Sequence, residues 1–186
     1  MRKFKLQVQT SVDGYMAGPN GEMSFMTFPW SDDVAAYVTA LTDPVDTIVL
    51  GRKLAEGFIP TWAAGPKSEP QHAIDKMNNT PKVVISNTLD ESPWDNAVVA
   101  GDLVKTINDL KAQPGGDIIA YGGVKLVSSL IAEGLLDELH LFVNPTALGT
   151  GLGVFPDVGE TRRLHRVAAH PFDCGITVLH LEPKPA

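Results

Sequence analysis

Three short apolar, β-branched runs constrain this chain most: Thr47-Ile48-Val49-Leu50, Lys82-Val83-Val84-Ile85 and Asp117-Ile118-Ile119-Ala120. None alternates polar with apolar side chains, so each reads as a strand buried on both faces, the habit of a parallel sheet. Parallel neighbours need crossover connections. Helical segments at 52–57, 70–79, 102–112 and 124–133 supply them, the last ending at Gly134. A further helix spans 31–42, with Ser31 as N-cap, Asp32 and Asp33 in the first turn, and Val34, Tyr37, Val38 and Leu41 on one face.

The ends read differently. Residues 4–9 alternate, as a strand with one covered face does; residues 138–143 and 176–181 alternate too, placing those two near an edge or beside antiparallel partners. A turn-rich stretch, 144–159, separates the last two. The expectation is one α/β domain over 1–186, with a mainly parallel sheet, an antiparallel C-terminal edge and flanking helices.

Composition narrows the function classes. The net charge of −7 gives no support for nucleic acid or an anionic membrane as partner. No apolar run reaches the roughly 18 residues of a membrane span. Residues 1–8 alternate charged and apolar side chains, unlike a signal peptide. Cys174 stands alone, so no internal disulfide forms. Together these predict a cytoplasmic protein with a small-molecule ligand.

In open α/β sheets ligands collect at the carboxyl ends of the strands. After the first run come Gly51, Arg52 and Lys53. Glycine permits close backbone approach, and free N–H groups with a guanidinium suit a phosphate. A plain βα turn with solvated cations explains the same residues. After the second run, Ser86, Asn87 and Thr88 offer small polar groups that suit a sugar or phosphate, and equally suit a turn. After the third come Tyr121, Gly122, Gly123, Val124, Lys125 and Leu126, where two glycines before a helix start let the backbone touch a pyrophosphate. This is not the GxGxxG fingerprint.

The ordered set resembles the dihydrofolate reductase-like superfamily, especially the bacterial branch similar to the reductase domain of riboflavin biosynthesis (RibD, C-terminal part). The pieces that carry the resemblance are 9–17 (QTSVDGYMA), 49–53 (VLGRK), 83–87 (VVISN), 119–123 (IAYGG), 135–139 (LLDEL), Gly149-Thr150-Gly151 and Phe155-Pro156. The resemblance implies a three-layer fold and an NADPH site. Arg52 then faces the 2′-phosphate, with Lys53, Ser86 and Asn87 beside it. Gly51 shares the adenosine end with Arg52. Gly122, Gly123 and Val124 match the turn at the pyrophosphate, with Leu126 beside it and Tyr121 also cofactor-binding, and Ala17 belongs to the loop closing over the nicotinamide.

The resemblance also implies a reductase of a heteroaromatic or imine-like substrate, similar to 5-amino-6-(5-phosphoribosylamino)uracil reductase. Reduction of a pterin, or a non-catalytic NADPH-binding module, are the rivals. Asp13, in the Ser-x-Asp-Gly pattern, either polarises a substrate group or holds its turn. Asp33 either assists protonation or caps its helix. Trp30, Phe58 and Trp62 are candidates for the wall of a flat-ring pocket, or for core. His72, His140, His165, His170 and His180 show no metal-ligand spacing, and His140 and His180 read as ordinary sheet residues, so no metal is expected. The bacterial relatives suggest a homodimer formed through the C-terminal strands.

Overall fold

The computed structural model describes residues 1–156, 158–159 and 161–184. Its elements run β1 (Phe4–Thr10), β2 (Tyr15–Ala17), α1 (Asp32–Thr42), β3 (Val45–Gly51), α2 (Arg52–Ala63), α3 (Gln71–Asn79), β4 (Lys82–Ile85) and β5 (Ala97–Ala100). Then follow α4 (Leu103–Ala112), β6 (Asp117–Ala120), α5 (Val124–Ala132), β7 (Glu138–Val143), β8 (Leu152–Gly153), β9 (Leu164–Pro171) and β10 (Thr177–Pro183). Eight strands form one sheet in the order β5-β4-β3-β6-β1-β7-β10-β9, and β2 pairs with β8 apart from it. The first six of the eight are parallel, while β10 and β9 are antiparallel. The three apolar runs are β3, β4 and β6, as their continuous β-branching requires. No helix among the described residues is long and apolar enough to cross a membrane.

Helices cover both faces. Ile107 of α4 and Leu126, Val127, Leu130 and Ile131 of α5 pack on one face against Phe4, Leu6, Val8 and Ile118. Val34 and Leu41 of α1, Ala55 and Ile59 of α2 and Met77 of α3 pack on the other, against Ile48, Leu50, Ile119 and Phe142. This is a three-layer α/β/α arrangement.

Several boundaries and one environment depart from expectation. Helix α2 continues to Ala63, past Gly57 and Pro60, the two residues that stop a helix in a sequence reading. Pro60 removes one N–H, but burial of Ala55 and Ile59 carries the helix through it. Strand β5 is an additional short edge that the sequence reading omits. Strand β7 has the antiparallel partner expected of it in β10, yet both β1 and β7 are central strands, and their polar alternates Lys5, Gln7, Glu138 and His140 are all buried. Alternation there marks an apolar face under α5 and a buried polar face toward α1. The end of α5 follows expectation: Gly134 (φ +64) turns the chain, and the Leu135 N–H donates to the Leu130 carbonyl.

One buried cation fastens the sheet's amino-terminal edge. Arg2, 6 % exposed, donates to the carbonyls of Gly116 (2.6 Å) and Leu110 (3.2 Å), to Thr47 Oγ1 (2.7 Å) and to Asp46. Arg2→Ala strands those acceptors and is expected to cost about 2–3 kcal/mol, read from the urea midpoint at unchanged m-value.

Candidate cofactor and substrate site

The crossovers leaving β3 and β6 diverge. From β3 the chain passes into α2 and α3 on one face toward β4, while from β6 it passes into α5 on the opposite face toward β7. Adjacent strands whose connections part in this way form a topological switch point, where a crevice opens at their carboxyl ends. Val49 pairs with Ala120, so Gly51 stands level with Gly122. The two helix starts are therefore neighbours.

Both starts are bare. Gly51 is the N-cap of α2 and Gly123 the N-cap of α5, and neither receives a side-chain cap. The first-turn N–H groups of two helices, with their partial positive charge, thus converge on one place. Gly122 (φ +126) and Gly123 (φ +85) hold backbone conformations that side-chain-bearing residues avoid. Space is also limited, since a Cβ on Gly122 would stand 3.3 Å from Met16 Cε. One on Gly51 would stand 3.4 Å from Leu126 Cβ, an ordinary contact that places Leu126 beside the start of α2. Met16 and Ala17, both buried in β2, thereby lie beside the diglycine turn. The structure brings together Ala17, Gly51, Gly122, Gly123, Val124 and Leu126.

Arg52 and Lys53 open α2 at the same crevice. The Arg52 guanidinium holds Glu56 one turn on at 2.5 Å, but both side chains are more than a third exposed. Such a pair is worth about 0.3–0.5 kcal/mol, too little to keep the arginine from a phosphate. Ile85 pairs with Gly51, which puts Ser86 and Asn87 beside Arg52. Ser86 is buried, and its Oγ accepts the N–H groups of Thr88 and Leu89, both at 3.1 Å. Its hydroxyl serves its own turn; Asn87 is exposed and free to face a ligand.

The acidic candidates are occupied. Asp13 accepts N–H groups from Leu148 (3.1 Å) and Gly149 (2.6 Å), tying the first loop to the one after β7. A bond from the Ser11 hydroxyl and these two N–H groups lower its carboxyl to about 2. Asp33 accepts from Ser31 Oγ, the Val34 N–H and the Asp173 N–H, and the Ser31 bond holds its carboxyl below the ordinary range. It anchors the β9–β10 hairpin to the start of α1. Both carboxylates thus perform the tethering and capping roles open to them.

The aromatic candidates divide into two groups. Trp30 stacks on Phe142 (6.3 Å between centroids) and on Phe28 (5.8 Å). Phe58 packs with Trp62 (5.9 Å) and stacks on Tyr121 (5.5 Å), whose phenol pKa burial raises. Both groups lie on the α1–α3 face, with β1 between their strands. Gln9, in register with Phe142 on that strand, is a polar side chain the sequence reading passes over.

Asn144 is another. Fully buried, it accepts the Thr27 N–H (2.7 Å) and donates to Gln9 Oε1 (2.9 Å) and to the Phe142 carbonyl (3.0 Å). It pins the loop before Trp30 to the ends of β1 and β7. Its only sequence signal is an Asn-Pro step after a strand. A separate groove of about 1100 Å³, between Leu130, Leu139, Phe155 and Leu164, touches none of the candidate residues.

Comparison with known proteins agrees with the fold. The chain is 29% identical over 180 residues to the uncharacterized protein YyaP of Bacillus subtilis, covering 94% of this chain and 92% of that one. A candidate riboflavin biosynthesis protein from Shewanella sp. PV-4 superposes with a TM-score of 0.77 at 24% identity, covering both chains entirely. The diaminohydroxyphosphoribosylaminopyrimidine deaminase/5-amino-6-(5-phosphoribosylamino)uracil reductase of Thermotoga maritima gives 0.70 at 16%, over 98% of this chain and 57% of that chain. The model of the RibD C-terminal domain matches residues 2–178, nearly the whole described sheet, and the chain belongs to that family.

Proposed function

We propose that this protein is an NADPH-dependent reductase of a small heteroaromatic or imine-like substrate, a ring such as the pyrimidine named for the Thermotoga relative. The observation that carries the reading is the pair of uncapped helix starts, after Gly51 and after Gly123, side by side at the switch point. The bound cofactor would supply a hydride. The N–H groups opening α2 and α5 would hold its pyrophosphate, and Gly122 and Gly123 would let the backbone approach. Arg52 would take the 2′-phosphate in a bidentate contact, with Lys53 and Asn87 beside it. Ala17 and Met16 would cover the nicotinamide end. The substrate ring would lie on the α1 side of β1, near Gln9, Trp30 and Phe142. With Asp13 and Asp33 committed to backbone N–H groups, water would deliver the proton.

Calorimetric titration with NADPH and with NADH tests this. Tighter binding of NADPH is expected. Arg52→Ala should weaken NADPH by about 10- to 100-fold, the worth of a charge-assisted bond, while leaving NADH within about twofold. Equal weakening of both, or no binding of either, would sink the assignment.

A further inference from the structure

Beneath α1, away from the strand ends, lies a polar cluster that the reductase reading does not use. Glu138 and His140 are two apart on β7, and His180 pairs with His140 across β10, so all three share one sheet face. Glu138 and His140 are buried, and the His180 side chain is 19 % exposed. His140 Nε2 lies 3.2 Å and His180 Nε2 3.7 Å from the same oxygen, Glu138 Oε2. Donors bound at 2.0–2.2 Å to one tetrahedral ion stand about 3.4 Å apart, so these spacings suit a shared ion.

The surroundings are those of ligands already oriented. His140 Nδ1 is 2.8 Å from the Tyr37 hydroxyl. Without an ion, Nε2–H donates to Glu138 Oε2 and Nδ1 accepts from Tyr37. With the proton moved to Nδ1 and donated to Tyr37, the Nε2 lone pair would point at the cluster, the usual outer-shell arrangement of a metal-binding histidine. Lys3 holds the other carboxylate oxygen of Glu138. Three buried side-chain atoms have no hydrogen-bond partner among the described residues: Ser128 Oγ on α5 and, on this face of the sheet, His180 Nε2 and Gln7 Oε1. Gln7 is 7 % exposed and stands opposite His140 in the β1–β7 register. Buried polar atoms left unpaired are costly, and two on one face of neighbouring strands call for a partner. The imidazole rings stack at 4.3 Å, 20° apart. Ligation by both rings would require His180 to turn out of this stack, a turn that no hydrogen bond at Nε2 opposes.

We infer that Glu138, His140 and His180 form a Zn²⁺ site that clamps β7 to β10 and, through Tyr37, to α1. Two imidazoles and a carboxylate select a borderline ion over Mg²⁺ or Ca²⁺. Gln7 Oε1 or water completes the shell, and the partly exposed His180 edge gives entry. Lys3 and Lys5 place positive charge nearby, balanced by Glu138, Glu182 and Asp117.

The test uses the full chain stripped with a chelator, with Co²⁺ as the visible probe. Expected are one Co²⁺ per chain with four-coordinate d–d bands, displacement by Zn²⁺, and no response to Mg²⁺. Zn²⁺ at a hundredfold its Kd should raise Tm by about 5–10 °C. His180→Ala should weaken binding at least tenfold, whereas His72→Ala and His165→Ala leave it unchanged. Glu138→Gln, which keeps shape and removes charge, should do the same as His180→Ala. If Glu138→Gln fails to fold, His180→Ala decides alone. Absent d–d bands, or binding indifferent to His180→Ala, would show a hydrogen-bonded ion cluster and overturn the inference. NADPH is absent throughout, so the outcome is independent of the reductase reading.

Discussion

Phe142→Ala is expected to lower the unfolding free energy by about 3–5 kcal/mol, the largest loss of any single side chain considered. Phe142 is fully buried on β7, where Trp30 stacks over it and Tyr37 meets its ring edge-on at 6.0 Å. Truncation removes the transfer free energy of the ring and leaves a cavity beneath α1. Helix α1 contributes only Val34, Leu41 and Thr42 as buried side chains, so it has little else to hold it in place while the site collapses. A Tm fall of roughly 10 °C should accompany the loss, at 2–4 °C per kcal/mol. Val98→Ala is the control. Val98 is 60 % exposed on the edge strand β5, and its truncation should change stability by less than about 0.5 kcal/mol. Comparable losses for the two would mean that the α1–sheet packing is wrongly described.

The same residue shows what a sequence does and does not disclose. Phe142 sits in an alternating run, and alternation correctly reads as a strand. It does not say what covers the second face. In β1 and β7 the polar alternates Lys5, Gln7, Glu138 and His140 look solvent-facing in sequence, yet they are buried side by side on the sheet face toward α1, where Tyr37 reaches His140. The β3, β4 and β6 runs carry no such ambiguity, since nothing in them tolerates water on either face. Their glycine and diglycine ends locate the switch point, and at Gly122 and Gly123 a positive φ is what favours a residue without Cβ. Long-range pairings are invisible at short range. His140 and His180 are 40 positions apart and have no ligand spacing, although register brings their rings together. Asp13 and Asp33 illustrate the converse. Their positions beside the expected pocket are legible, but the N–H groups of Leu148, Gly149 and Asp173 that engage them come from segments about 135–140 residues away.

Gly122→Ala separates a turn from a binding site. At φ +126 a side chain is strained by about 1–3 kcal/mol, whatever the space around it. The added Cβ also meets Met16 Cε at 3.3 Å, a contact that the flexible end of methionine relieves by moving. Stability should therefore fall by about 2 kcal/mol, set by the backbone rather than by the clash. Relief of the strain requires the 122–123 peptides to rotate, and the bare start of α5 rotates with them. If that start holds a pyrophosphate, NADPH and NADH must weaken together, by tenfold or more, because both carry the group. Arg52→Ala weakens NADPH alone, since only the 2′-phosphate differs. The two variants thus assign the two ends of the dinucleotide separately, and calorimetry on the folded fraction reads both. A Gly122→Ala protein that loses stability but binds both nucleotides unchanged would reduce the diglycine to turn chemistry. The cofactor would then have to be held by α2 alone.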